Sequence, residues 1–239
     1  MNAPASGALY LIPTPLAEPV NEDLILPRKV IATALRLNYY IAENAKTARA
    51  FLKAIGIARP LAEVSIRELD KHAKAEVMSE LLAPLLAGHD MGLVSEAGAP
   101  AVADPGAMVV AAAHAAGIRV VPLVGPSSLL LGLMASGLNG QNFAFHGYLP
   151  QDKAARNKAI QDLERESRQK NMTQLFIETP YRNQVLFADL LIALAPATRL
   201  CIACNLTGAT ERVHTRSIAQ WRAQPIELEK SPTLFLLLA

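Results

Sequence analysis

The chain has 239 residues, too many for one small core and suited to two compact domains. Half of them are apolar (51%) and 18% are charged, which excludes a long disordered chain. Lysine and arginine number 23 against 21 acids, and the resulting net charge of +2 excludes a molecule that concentrates nucleic acid by its overall field. An RNA partner would have to be held by a local patch.

The opening stretch, MNAPASGALYLIPTPL, has no basic region followed by an apolar run of signal-peptide length, so the sequence predicts a cytoplasmic protein. From there, short apolar runs ending at turn residues alternate with stretches of helical period. Strands are predicted at LYLIP (9 to 13), NYYIAE (38 to 43), MGLVS (91 to 95) and IRVVPL (118 to 123). Helices are predicted near 24 to 36, 46 to 56, 71 to 87 and 105 to 116. This alternation implies a mainly parallel sheet covered on both faces, with ligands bound outside the carboxyl ends of the strands.

Between Val120 and Gln151 there is no Asp, Glu, Lys or Arg. Pro122, Gly125, Pro126, Ser127, Ser128 and Gly132 nevertheless divide this stretch into a strand, a turn and a helix start, and no membrane span is predicted. A helix (127 to 136), the strand FAFHGYL, a charged helix (152 to 170), the strand TQLFIE, a helix (181 to 195) and several more strands ending in TLFLLLA follow. The predicted class is therefore α/β, with an N-terminal α/β domain over 1 to 123 and a C-terminal one over 124 to 239. The mixed-sign helix 152 to 170 reads as a solvated face, with an RNA contact as the alternative.

Three loops stand out for chemistry. In LIPTPL, Pro13 and Pro15 fix φ and remove two amide donors, leaving a stiff loop that presents carbonyls. In LVSEAGAPAVADPG, Gly98 permits close approach to the backbone, and Asp104 before Pro105 has the form of a helix N-cap, a structural role. IAENAK follows the second strand. GPSSLL sets Ser127 and Ser128 at a helix start, where hydroxyls and amides either cap the helix or hold an anionic group such as a carboxylate.

Several classes of chemistry lose support. There is neither a G-x-G-x-x-G after the first strand nor a GxxxxGK[ST], so no dinucleotide or P-loop nucleotide is implied. The five histidines make no cluster of metal spacing, no G-x-S-x-G is present, and no metal is expected. Cys201 and Cys204, the only cysteines, sit in RLCIACNL, where strand alternation sends them to opposite faces as packing residues.

Taken together, LYLIPTPL, IAENAK, LVSEAGAPAVADPG, VVPLVGPSSLLLGLMASGL, FAFHGYLP, FIETPYR and NLTGATE resemble, in that order, the tetrapyrrole methylase superfamily. Within it the chain is most similar to the branch that methylates small-subunit ribosomal RNA, over essentially its whole length. That resemblance implies two α/β domains, usually a homodimer, with S-adenosylmethionine in the cleft between the domains and a cytidine ribose 2′-hydroxyl as acceptor. It places the cofactor against Pro13, Thr14 and Pro15, against Ser95, Glu96, Ala97, Gly98 and Ala99, and against Ser127 and Ser128. Ile177, Asn205 and Pro232 would meet the adenosine half. On the acceptor side it implies Glu43, Lys46 and Glu96 as catalytic residues and Asn44 and Arg182 as contacts to RNA.

The chain departs from that branch in places. AEDTR is replaced by AENAK, SDAGTP by SEAGAP, and ARELTK by ACNLTG, which removes charge at Asn44, Cys204, Asn205 and Gly208 and puts Lys46 where an arginine would grip phosphate bidentately. Two alternatives to RNA methylation therefore stay open: methylation of a small tetrapyrrole-like molecule, and a diverged paralogue that binds the cofactor without turnover.

Overall fold

A computed structural model describes residues 6–17, 25–70 and 75–239. The chain divides into two compact units, residues 1–127 and 128–239.

The first unit alternates strand and helix as β1 (Ala8–Ile12), α1 (Arg28–Arg36), β2 (Tyr39–Ala42), α2 (Ala45–Ala54), β3 (Ser65–Glu68), α3 (Ala75–Leu86), β4 (Met91–Val94), α4 (Gly106–Ala115) and β5 (Arg119–Pro122). Every pairing in its sheet is parallel, in the order β3-β2-β4-β1-β5. Alternate residues of one strand serve opposite layers, as the period of two requires. Ile12, Tyr40 and Val94 pack with Val30, Ala34, Phe51 and Leu52, whereas Leu9, Ile41 and Met91 pack with Met78, Leu81, Leu85 and Val109.

Helix α1 begins four residues later than its apolar period suggests. Pro27 is extended (φ −57°, ψ 143°) and ends the approach segment, so Ile25 and Leu26 precede the helix; residue 24 lies outside the described residues. The first four residues expected in α3, 71 to 74, also lie outside them. Strand β3 was not expected at all. Its sequence, SIRE, has no fully buried position and lies at the sheet edge, where little apolar patterning is needed.

The second unit contains α5 (Ser128–Ser136), β6 (Phe143–Tyr148), α6 (Lys153–Lys170), β7 (Thr173–Glu178), α7 (Asn183–Ala193), β8 (Arg199–Cys204), β9 (Arg212–Ser217), α8 (Ile218–Ala223) and β10 (Thr233–Leu238). Its sheet, ordered β6-β7-β10-β8-β9, is mixed: β6 and β7 run parallel, and every other pairing is antiparallel. All six residues of β10 are buried at its centre. Phe235 stacks on Phe176 at 5.9 Å, and Phe187 meets the edge of Trp221 at 5.6 Å.

Helix α6 corrects the reading of a uniformly solvated face. Arg165 and Lys170 do lie outside, paired with Asp162 and Glu166. Arg156, however, is buried against Asp189 of α7 at 2.6 Å and also donates to the Gln151 carbonyl. Glu164 is buried too, accepting from the Ala195 amide and the Thr198 hydroxyl. A charge pattern does not reveal which charged residues have a partner waiting across the core. The two cysteines both lie in β8, and burial pushes the Cys201 thiol up to about 11, as suits a packing residue. Among the described residues no helix is long and apolar enough to cross a membrane, and no group of three metal-ligating side chains forms.

Candidate functional site

Parallel strands bring all their carboxyl ends to one edge of the sheet. Because β2, β4, β1 and β5 are consecutive neighbours in the first unit, the loops that leave them stand side by side. They carry Glu43 to Lys46, Ser95 to Ala99, Pro13 to Pro15 and Gly125 to Ser127.

The loops after β1 and β4 are joined by backbone. Thr14 and Gly98 exchange two amide-to-carbonyl hydrogen bonds, each 3.0 Å, in an isolated antiparallel bridge. The Thr14 hydroxyl donates to the Ser95 carbonyl at 3.2 Å, and the Ser95 hydroxyl donates to the Gly98 carbonyl at 3.1 Å. Thr14, Ser95 and Gly98 are buried, while Glu96 and Ala97 are exposed at the tip of the turn. Gly98 sits at φ 77°, where a side chain would be strained and would press on Leu16.

The loop after β5 closes on the same place. A side chain at Gly125 would lie 2.2 Å from Cγ of Pro13, so the two segments touch without room for a Cβ. Pro13, Thr14, Ser95, Gly98 and Gly125 are therefore gathered into one rigid patch that presents backbone.

The loop after β2 reaches that patch through a side chain. Asn44 caps α2, its Oδ1 accepting from the amides of Lys46 at 2.8 Å and Thr47 at 3.4 Å, while the Ala45 amide donates to Glu68. Most of Asn44's acceptor capacity is thus committed to the helix, leaving its Nδ2 to donate. The Thr47 hydroxyl donates to Oε1 of Glu96 at 2.7 Å, linking two loops that are 49 residues apart in sequence. Glu43 is half-buried and Lys46 exposed. Sequence reasoning missed Thr47, because nothing along the chain marks a partner so distant.

Beyond the turn, ADPG starts the next helix. Oδ1 of Asp104 accepts from the amides of Gly106 at 2.6 Å and Ala101 at 2.9 Å. Burial raises the Asp104 pKa, against the pull of those two donors. The bend requires left-handed backbone at Ala101 (φ 65°) and Ala103 (φ 58°), an unusual conformation for residues other than glycine.

In the second unit, Ile177, Asn205 and Pro232 assemble at one end of the sheet. Ile177 is paired in register with Leu234, Cys204 with Thr233, and the Asn205 amide donates to the Pro232 carbonyl at 2.9 Å. Asn205 is left-handed (φ 48°), and its carboxamide covers Gly208 and donates to the Thr210 hydroxyl at 2.7 Å. Arg182 is held by the buried Glu178 carboxylate, at 2.5 and 2.7 Å. Nε of Arg182 and Oδ1 of the adjacent buried Asn183 have no hydrogen-bond partner among the described residues. Ser128 begins α5 and Ser127 immediately precedes it.

The first unit offers an exposed carboxylate on Glu96 beside a locked pair of loops, in which the carbonyls of Thr14, Ser95 and Gly98 already accept hydrogen bonds. The second unit offers Nε of Arg182 and Oδ1 of Asn183, and the Ser128 hydroxyl at the start of α5.

No family model matches the chain. It is similar to the ribosomal RNA small subunit methyltransferase I of Xylella fastidiosa, with 32% identity over 220 residues covering 91% of this chain and 75% of that protein. Among solved structures it is similar to the methyltransferase CobJ, with a TM-score of 0.61 and 16% identity over 98% of this chain and 94% of that one. It is also similar to uroporphyrin-III-C-methyltransferase from Thermus thermophilus, with a TM-score of 0.55 and 18% identity over 97% of this chain and 92% of that one. The two structures share its α/β fold.

Proposed function

This chain belongs to the ribosomal RNA small subunit methyltransferase I family, and from that membership we propose that it methylates a ribose 2′-hydroxyl in small-subunit ribosomal RNA. Its class is that of the family, an S-adenosylmethionine-dependent methyltransferase. The observation that most supports the reading is the interlocked patch of Pro13, Thr14, Ser95, Gly98 and Gly125, a preformed backbone surface beside an exposed carboxylate.

S-adenosylmethionine supplies an electrophilic methyl group on a cationic sulfur, so transfer is an in-line displacement that depends on alignment. The Glu96 carboxylate and the carbonyls of Pro13 to Pro15 and Ser95 to Ala99 that the loop-locking bonds leave uncommitted hold the cationic part. Ser127, at the end of the first unit, holds the carboxylate. A ribose hydroxyl is a weak nucleophile, and the carboxylate of Glu43 or Glu96 takes its proton. Lys46 steadies a neighbouring phosphate as a point charge, with Asn44 and Arg182 as further RNA contacts. The chain acts as a cytoplasmic homodimer, a state supported by the exposed apolar residues Leu130 and Met134 on α5.

Incubation with methyl-labelled cofactor and unmethylated small ribosomal subunits tests the reading. Label is expected in a ribose of the RNA, and its absence under conditions where a family member works would overturn it. Label in a small metabolite would favour the tetrapyrrole-like substrate. Cofactor binding by calorimetry without turnover on any acceptor would favour a diverged paralogue.

A further inference from the structure

The molecule's net charge of +2 hides a local concentration of positive charge. From Asn44 to Ala62 the chain has four cations, Lys46, Arg49, Lys53 and Arg59, and no acid, so the remainder of the protein is net negative. Arg59 is committed to the Leu37 carbonyl. The other three lie on α2, and all are exposed.

Helical geometry puts them together. Residues three and four apart share a face, so Lys46, Arg49 and Lys53 form one row about 10 Å long. The opposite face, with Ala45, Ala48, Phe51 and Leu52, is buried in the core, which fixes the row outward. Among the described residues none of the three forms an ion pair. On α6 the contrast is plain: Arg165, Arg168 and Lys170 are each set within 4 Å of an acid on their own helix. The row also has a definite starting point. Lys46 is one residue from Thr47, whose hydroxyl holds Glu96, so the row leads away from the proposed acceptor side of the site.

We propose that the Lys46, Arg49 and Lys53 face of α2 is the grip for the RNA phosphate backbone, positioning the strand whose ribose enters the site. The proposal rests on the RNA-methylating reading above. A row of cations without acids supplies the sequence-independent part of RNA binding and fixes register, while the site itself selects the acceptor.

The test leaves Lys46 intact, because it belongs to the proposed catalytic set. Binding of transcribed small-subunit ribosomal RNA to the full chain is measured across a range of salt concentrations, for the wild type and for the Arg49→Gln, Lys53→Gln double variant. Losing two phosphate contacts should flatten the slope of log affinity against log salt by about 1.4 to 1.8 and weaken binding across RNA sequences alike. Cofactor binding and melting temperature should not change. The charge-preserving pair Arg49→Lys, Lys53→Arg should keep most of the slope, and Arg165→Gln with Lys170→Gln on α6 should leave it untouched. An unchanged slope in the α2 variant, or a wild type that does not bind the RNA, overturns the grip. A wild type that binds through this face but transfers no methyl group overturns the functional reading and leaves the grip standing.

Discussion

Each unit contains an ion pair between elements distant in sequence, and the two pairs are built differently. In the first unit Arg36 meets Asp90 at 2.7 Å with 48% and 32% of the side chains exposed. In the second, Arg156 meets Asp189 at 2.6 Å with 8% and 6% exposed. The first unit joins its loops by backbone hydrogen bonds and an exposed side-chain link from Thr47 to Glu96, whereas the second, besides its surface pairs, buries a charge pair between helices. Water screens the one pair and cannot screen the other. The part of the molecule that presents loops for chemistry is thus held by backbone hydrogen bonds and by carboxylates that accept from neutral donors, as Glu68 does from the Ala45 amide and Glu96 from Thr47, and not by a buried ion pair.

Asp189→Ala should break this comparison most visibly. It strands a buried guanidinium, and urea unfolding should show a loss of roughly 3–5 kcal/mol. In the first unit the largest effect should come from packing and not from charge: Gly125→Ala forces a Cβ against Pro13, at a cost of about 1–3 kcal/mol with weakened cofactor binding by calorimetry.

The exposed pair sharpens the comparison through pH. Burial alone would raise the Asp90 pKa, but the Ala8 amide and Arg36 outweigh it and hold the group below its ordinary 3.8. Its contribution is therefore present above that value and lost as pH falls through the lower native one. Below pH 4, wild-type stability should fall more steeply than that of Asp90→Asn, by about 1 kcal/mol at most. The smallest stability effect, about 0.5 kcal/mol, belongs to Thr47→Val, since the hydrogen bond to Glu96 is exposed. Its signature should be slower methyl transfer, because the Glu96 carboxylate is no longer tied to the start of α2.

How much could be read beforehand varies with burial. Strands β1, β2, β4 and β7 were legible because a strand with most of its positions buried must be a nearly continuous apolar run, and turn residues mark its ends; β5, half-exposed at the sheet edge, was legible from its two valines before Pro122. Strand β3 and the short helix α8 were not, since an edge strand and a six-residue helix need little pattern. The loops of the site were legible from their prolines and glycines, which record backbone demands locally. Links such as Thr47 to Glu96, Arg156 to Asp189 and the contact of Gly125 with Pro13 were hidden, because each joins residues that only the fold makes neighbours.

The central place of β10 bears on how the protein emerges from the ribosome. Strands β6 and β7 pair with each other, and β8 with β9, but residues 233–238 must arrive before the two pairs become one sheet. During synthesis the nascent second unit carries an open slot flanked by the unpaired edges of β7 and β8, a template for wrong partners that the last strand closes. Translation speed near the end of this segment, or a chaperone that shields those edges, should therefore govern the yield of soluble protein more than the same delay in the first unit, where β1 is already made when β4 and β5 appear.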